Sequence, residues 1–257
     1  MLNLRALSDT PEEAVALAAE QAPYLAKLQS LEFDLADPVA LLASAHALCS
    51  EVAAGASDPM RDLRQAKQRA HLGIAASDLS GQATLEETTF EITRFADAAM
   101  SAALSVALAE KSLVGDGLFI AALGKMGAHE LNYSSDIDVA AFFDPDVFHG
   151  GDYETADAAA RVMRRMTSLL QDRTKDGYVF RTDLRLRPDP SSTPVAVSTR
   201  RAELYYESIG QNWERMVWIK GRPAAGDMHV GEAFVKTLEP FVWRKHLDYW
   251  AIADERF

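Results

Sequence analysis

The pattern of apolar residues changes near residue 115, and this change constrains the fold more than any other feature of the sequence. From residue 11 to 110 the chain reads as helix after helix. Thr10 precedes Pro11, Glu12 and Glu13: a hydroxyl able to cap, a proline at the first helical position, and acids in the first turn. Apolar spacing predicts a helix from there to about Leu31. Asp37-Pro38 opens a second helix that ends near Gly55, and Ser57-Asp58-Pro59 opens a third. A turn at Asp78 to Gly81 leads to a long helix from Leu85 to Leu113, broken by Gly115, Asp116 and Gly117,.

Beyond that break, short apolar runs suited to strands appear. Leu118 to Leu123 ends at Gly124 and suits a buried strand,. Ile137 to Phe143 is rich in β-branched and aromatic residues and stops at Asp144-Pro145,. Residues 153–171 return to helical spacing, with Ala158, Val162, Met166 and Leu169 on one face. Tyr178 to Arg187 alternates, placing Val179, Arg181, Asp183, Arg185 and Arg187 on one side and Phe180, Thr182, Leu184 and Leu186 on the other, until Pro188, Pro190 and Pro194 close it. Helix resumes from about Thr199. The expected fold is α+β: a helical region over 1–115, a small mixed sheet with helices over 116–227, and the start of a further helical region over 228–257. The last segment reaches Phe257 within a helical pattern that has no stop signal, which predicts a chain that continues in the intact protein,.

Composition excludes several classes. The 257 residues carry a net charge of −12, which disfavours binding to long nucleic acids or to anionic membranes. A single cysteine, Cys49, allows no disulfide within the chain and predicts a reducing, cytoplasmic setting,. The alanine-rich run from Ala98 to Ala109 is shorter than the about 20 residues needed to span a bilayer,, and the N-terminus does not read as a secretory signal. The charge is uneven. Residues 1–60 hold nine acids and two bases, whereas residues 161–222 hold thirteen bases and seven acids, a local balance of +6. A basic segment in an acidic chain suits a local anionic ligand such as a phosphate, although a solvated surface is the plainer explanation of the composition alone.

Three acids carry the chemistry. Asp136 and Asp138 stand two apart at the start of a strand, and alternate strand residues project to one face about 6.5–7 Å apart. Paired carboxylates repel unless a cation lies between them, and Mg²⁺ prefers oxygen ligands. An Asp-X-Asp arises often by chance, one acid capping a neighbouring element and the other solvated. Strands disfavour Asp, however, and Asp183 offers a third carboxylate on another strand, flanked by Arg181 and Arg185. Three such carboxylates suit two Mg²⁺ ions in phosphoryl or nucleotidyl transfer, with arginine forks for phosphate oxygens. Gly124 and Gly127 after the first strand would let backbone N–H groups approach a phosphate. Lys125 could add charge, and Ser134 and Ser135 hydroxyl donors. The glycines match neither the P-loop nor the dinucleotide pattern.

The spacing Gly124-Lys125, ten residues, then Asp136-X-Asp138 resembles the signature of the DNA polymerase β-like nucleotidyltransferase superfamily. The string Ala-Leu-Gly-Lys-Met-Gly-Ala-His-Glu-Leu-Asn-Tyr-Ser-Ser-Asp-Ile-Asp over 122–138 resembles the bacterial glutamine synthetase adenylyltransferases, which attach AMP to a glutamine synthetase tyrosine and remove it. Asp176 to Pro188 resembles their third-carboxylate strand. Trp213-Glu214-Arg215 with Lys220 to Asp227 resembles the helix after it, Leu63 to Ala99 the helical approach, and Pro240 to Arg244 the exit. Ala128 stands where many members have glycine.

This resemblance implies a polymerase β-like core, with Asp136, Asp138 and Asp183 as catalytic and metal-binding residues. It implies Gly124, Lys125, Ser134, Ser135, Arg185 and Arg187 as nucleotide- or phosphate-binding residues. Two Mg²⁺ ions are the implied cofactor. Glutamine synthetase is the implied protein substrate, a PII signalling protein the regulator, and phosphate with ADP or ATP the small ligands. Family chains hold two such halves, and Asp-Gly-Tyr-Val-Phe-Arg ahead of Asp183 resembles the N-terminal, AMP-removing half. In that half phosphate attacks AMP-O-tyrosine to give ADP. The adenylylating half, using ATP, and a docking module without turnover remain alternatives at this point. His129, Trp213 and Trp218 read as structural.

Overall fold

Proline sets the helix starts in the first part of the chain. The computed structural model describes residues 6–243. Helices α1 (Pro11–Ala19), α2 (Pro23–Gln29), α3 (Pro38–Ala53) and α4 (Pro59–Leu79) each begin on proline, where the missing N–H costs nothing. The Asp37 carboxylate accepts from Ala40 N at 2.9 Å and Asp58 from Arg61 N at 3.1 Å. Each such cap contributes about 1 kcal/mol. The single helix expected from Pro11 to Leu31 is two helices, because Pro23 removes a donor and holds Ala22 in an extended conformation,. Thr10 makes no side-chain cap. Helix α5 (Leu85–Ala109) starts from a reciprocal pair: Glu87 Oε2 accepts from Thr84 N at 2.8 Å, and Thr84 Oγ1 accepts from Glu87 N at 3.2 Å,.

The structure divides into two compact units that interleave along the sequence. The first comprises the residues up to Ala107 with His129–Asp136 and Arg165–Thr182; the second comprises Leu108–Ala128, Ile137–Arg164 and the residues from Asp183 onward. The sequence suggested one cut near 115 instead. In the first unit Val15, Leu25, Leu28, Leu41, Leu72 and Ala76 form one core cluster. Helix α5 is long and apolar enough to cross a membrane by length and composition, the only such helix among the described residues. Here it is a core helix, with Phe95, Ala96, Ala99, Met100 and Ala103 fully buried.

The second unit is built on a mixed five-stranded sheet. Strand β1 (Leu118–Ala122) runs into the short helix α6 (Gly124–Gly127) and then β2 (Ile137–Phe143). In chain order there follow helix α7 (Thr155–Gln171), whose residues from Arg165 belong to the first unit, then β3 (Thr182–Asp183), β4 (Ala196–Ser198), α8 (Thr199–Ser208), α9 (Asn212–Trp218), β5 (Arg222–Gly226), α10 (Met228–Thr237) and α11 (Glu239–Val242). The order is β3-β2-β1-β5, with β4 also on β2. β1 pairs antiparallel with β2 and with β5, and β4 pairs parallel with β2. The α+β class is as expected. Phe119, Phe142, Trp218 and Phe234 pack over one face, the Phe142 and Phe234 rings 4.8 Å apart. Burial of one such side chain contributes about 1.5–3 kcal/mol.

Two elements differ from expectation. Tyr178 to Arg187 is not one strand; only Thr182–Asp183 pairs. Val179 N and Phe180 N both donate to Leu170 O, at 2.8 and 3.1 Å, and both side chains are buried. Period-two alternation is lost there. Residues 222–226, read as helix, form β5, where Pro223 is tolerated because the strand lies at the sheet edge beside a bulge at Ile120/Ala121,. Arg244 and the chain end lie outside the described residues.

Candidate active site

The β1–α6 junction and the start of β2 are built together. Asp138 is the second residue of β2, half-buried between fully buried Ile137 and Val139, and its carbonyl accepts from Leu123 N at 2.9 Å. The chain then turns at Gly124, whose φ is +52°. A Cβ at Gly124 would stand 2.7 Å from Asp138 Oδ2. The carboxylate therefore lies against the glycine backbone, and both the left-handed conformation and the missing side chain are needed. Gly127 has a different reason: a Cβ there would come within 2.3 Å of Lys220 O and 2.9 Å of Ala122 O. It allows three backbone segments to meet. Arg222 Nη2 donates to Met126 O at 3.1 Å and ties β5 to the same turn; nothing in the sequence beyond the local excess of bases singled this arginine out.

Asp183 ends β3, the neighbour of β2 in the sheet, so the Asp138 and Asp183 carboxylates come from adjacent strands. Arg185 N donates to Asp183 Oδ1 at 2.8 Å, and Arg185 Nε stands 3.0 Å from each Asp183 oxygen. The guanidinium holds the Asp183 carboxyl below the usual carboxylate range, with burial opposing it,. The Arg185 side chain is 83% exposed. The Asp183 side chain is only 15% exposed, so the mobile member of the pair is the arginine. Among the described residues no three His, Cys, Asp or Glu side chains gather as a metal cluster. The donor set itself, carboxylate oxygens from β2 and β3, suits a hard divalent cation.

This glycine turn, acid-bearing strand and partner acid on the adjacent strand lie within a matched family. The model for glutamate-ammonia ligase adenylyltransferase matches residues 5–237. The chain belongs to the glutamate-ammonia ligase adenylyltransferase family. Relatives named bifunctional glutamine synthetase adenylyltransferase/adenylyl-removing enzyme include one from Rhizobium meliloti, 49% identical over 221 residues, covering 79% of this chain and 22% of the relative. One from Caulobacter vibrioides is 48% identical over 229 residues, covering 84% and 23%, and one from Mesorhizobium japonicum is 47% identical over 212 residues, covering 77% and 22%. The chain spans about a fifth of the length of these relatives.

The remaining site residues of this adenylyltransferase-family chain fall in both units. Gly124, Lys125, Asp138, Asp183, Arg185 and Arg187 belong to the second; Ser134, Ser135 and Asp136 belong to the first. Lys125 is exposed on α6. Asp136 is exposed and immediately precedes β2. The turn before it is organised by Asn132, whose Oδ1 accepts from Ser134 N at 3.1 Å and whose O accepts from Ser135 N at 3.1 Å. Ser135 Oγ accepts from Asn132 N at 3.3 Å. Arg181, expected beside Asp183, instead donates from Nη2 to Ser134 O at 2.7 Å. Leu131 N donates to Thr93 Oγ1 at 3.2 Å and Tyr133 OH to Asp78 Oδ2 at 3.1 Å, so α4 and α5 position the segment.

Arg187 is occupied differently from Arg185. Its Nε donates to Pro194 O at 3.0 Å, Nη1 to Leu184 O at 2.7 Å, and Nη2 to Pro190 O at 2.9 Å and Thr193 O at 3.2 Å. The fork closes the proline-rich loop. His129 has φ +60° and its ring lies 5.3 Å from that of Phe90, a structural setting. Trp218 is buried in the core, whereas Trp213 is exposed.

Proposed function

We propose that this chain carries the AMP-removing activity: Mg²⁺-dependent phosphorolysis of the AMP-O-tyrosine bond on glutamine synthetase. The observation that carries the reading is the placement of Asp138 and Asp183 on adjacent strands, with Gly124 directly beneath the Asp138 carboxylate. By the family resemblance Asp136, which immediately precedes β2, would be the third carboxylate. These acids would hold two Mg²⁺ ions, which supply neutralisation of the charge that develops on the transferring phosphoryl group. Choice of the removing rather than the adding direction rests on the resemblance of residues 176–181 to the AMP-removing half.

In this reaction an oxygen of inorganic phosphate forms a bond to the α-phosphorus as the bond from phosphorus to the tyrosine oxygen breaks. The products are ADP and the free tyrosine, the phenolate taking a proton from water. A phenol of pKa about 10 leaves without a strong general acid. Lys125, Ser134 and Ser135 bind phosphate oxygens. Arg185, whose side chain is exposed, leaves the Asp183 carboxylate as the cations bind there and turns its fork to the nucleotide phosphate. Arg187 shapes the 188–194 loop instead of contacting the nucleotide. A PII signalling protein as regulator and a cytoplasmic setting belong to the same proposal.

The test is direct. Incubation of the chain with adenylylated glutamine synthetase, Mg²⁺ and phosphate should release ADP. ATP-dependent labelling of unmodified glutamine synthetase, without ADP formation from the modified form, would overturn the direction.

A further inference from the structure

The first unit contains a cavity of about 450 Å³ whose lining is basic in an acidic chain. Helices α2 and α4, the Tyr133-Ser134 segment and residues 173–178 form its walls. Five lining residues are cations, namely Lys27, Arg64, Lys67, Arg173 and Lys175, against one acid, Asp176.

Arg64 and Lys67 stand one turn apart on α4 and divide the work. Arg64 is 1% exposed. Its Nε donates to Gly177 O at 2.9 Å, its Nη1 to Met60 O at 2.6 Å and Leu169 O at 3.1 Å, and its Nη2 to Asp172 O. Gln68 Nε2 adds a bond to Asp176 O at 3.3 Å. These bonds fix the 172–177 segment and so hold Arg173 and Lys175 at the cavity. Lys67 is 8% exposed and lines the cavity. It sits 4.5 Å from the Tyr178 ring centroid and 5.3 Å from that of Phe180. Burial first, then the Arg181 and Arg64 charges, pull its pKa down to about 8,. An ammonium withdrawn from bulk water beside two other cations is costly,, and an anion in this cavity would offset that cost.

We propose that the cavity binds a small phosphate-bearing anion, its phosphate on Lys67 and its remainder in the space lined by Tyr24 and Ser134. The volume lies in the range of small-ligand pockets, about 300–1,000 Å³, and exceeds what a bare phosphate fills. Arg173 offers a planar fork and Lys27 and Lys175 further charge, a set suited to a multiply charged tetrahedral group. Neither Asp138 nor Asp183 is among the lining residues, whereas Ser134 is shared with the phosphate-binding set proposed above; the inference does not depend on the direction in which AMP moves.

Calorimetric titration of the 257-residue chain in EDTA, with AMP, sulfate, adenosine and succinate, tests this. AMP and sulfate should bind, and adenosine should not. Lys67→Met should weaken AMP by about tenfold or more, while Asp138→Asn leaves it unchanged. Equal binding by Lys67→Met, loss of binding in Asp138→Asn, a preference for succinate, or no binding of AMP or sulfate would overturn the proposal. A probe needs no variant: the aldehyde of pyridoxal 5′-phosphate should condense with the Lys67 amine, releasing water, and borohydride should trap the imine as a secondary amine. AMP should protect Lys67 from this labelling. Labelling spread over other lysines without protection would also overturn the proposal.

Discussion

Gly124 and Asp138 are in contact across the β1–α6 turn, so that any side chain at 124 meets the carboxylate at 2.7 Å. The contact couples the conformation of a turn to the position of an acid. Gly124→Ala should strain the left-handed backbone by about 1–2 kcal/mol and push Asp138 aside. The expected outcome is a melting temperature lower by a few degrees, because about 1 kcal/mol shifts a chain of this size by 2–4 °C. The loss of phosphorolysis should be larger than that fall in stability explains. Parallel melting and ADP-release measurements check it.

Asp138→Asn and Asp183→Asn should each lower phosphorolysis by about 10²-fold or more, since each removes a charge aimed at the reacting group. Arg185→Ala should behave differently. Its ion pair is 83% exposed on the arginine side, so stability should change by less than about 1 kcal/mol. Its activity loss should appear mainly in the apparent affinity for the nucleotide-bearing substrate. Steady-state kinetics on the three variants separate these outcomes.

Arg187→Ala should act on stability. Four carbonyls, of Leu184, Pro190, Thr193 and Pro194, lose their donor, at a cost of about 1–3 kcal/mol. Lysine should not rescue it, because an ammonium cannot reproduce the fork. Limited proteolysis should then nick residues 188–195, and denaturant unfolding should report the loss.

His71 sets an acid limit on the first unit. It is 1% exposed, with the rings of Tyr24, Phe95, Tyr133 and Phe180 edge-on around it. Burial, then Lys67, depresses its pKa to about 3 from 6.5. Between those values the unfolded chain takes up a proton that the folded chain does not. The neutral ring's contribution is therefore complete above pH 6.5 and is lost as pH falls towards 3, at up to about 1.4 kcal/mol per pH unit. His71→Phe should flatten the melting-temperature profile between pH 6.5 and 4.

The helix starts at Pro38 and Pro59 and strand β2 were legible because each depends on neighbouring residues: a capping aspartate with proline, or a β-branched run bounded by Asp144-Pro145. The split between α1 and α2 was legible in principle, since Pro23 marks it, but helical apolar spacing on both sides masked it. Strand β5 was hidden because its reason is β1: an edge strand with Pro223 exists only when a partner supplies the ladder,.

The sequence by itself determined the kinds of group at the site. Gly124, Lys125, Asp136, Asp138 and Asp183 stand at fixed spacings, and spacing together with side-chain chemistry narrows the reaction class. Only the tertiary structure decided what each arginine does. Arg64, Arg181, Arg185 and Arg187 are alike in a sequence, yet one is enclosed by carbonyls, one binds Ser134 O, one grips Asp183 and one closes a loop. A guanidinium takes its role from the acceptors around it, and those acceptors come from segments as much as 113 residues away. The same holds for Lys67, whose enclosure beside the Tyr178 and Phe180 rings exists only once α4 meets the 173–178 segment.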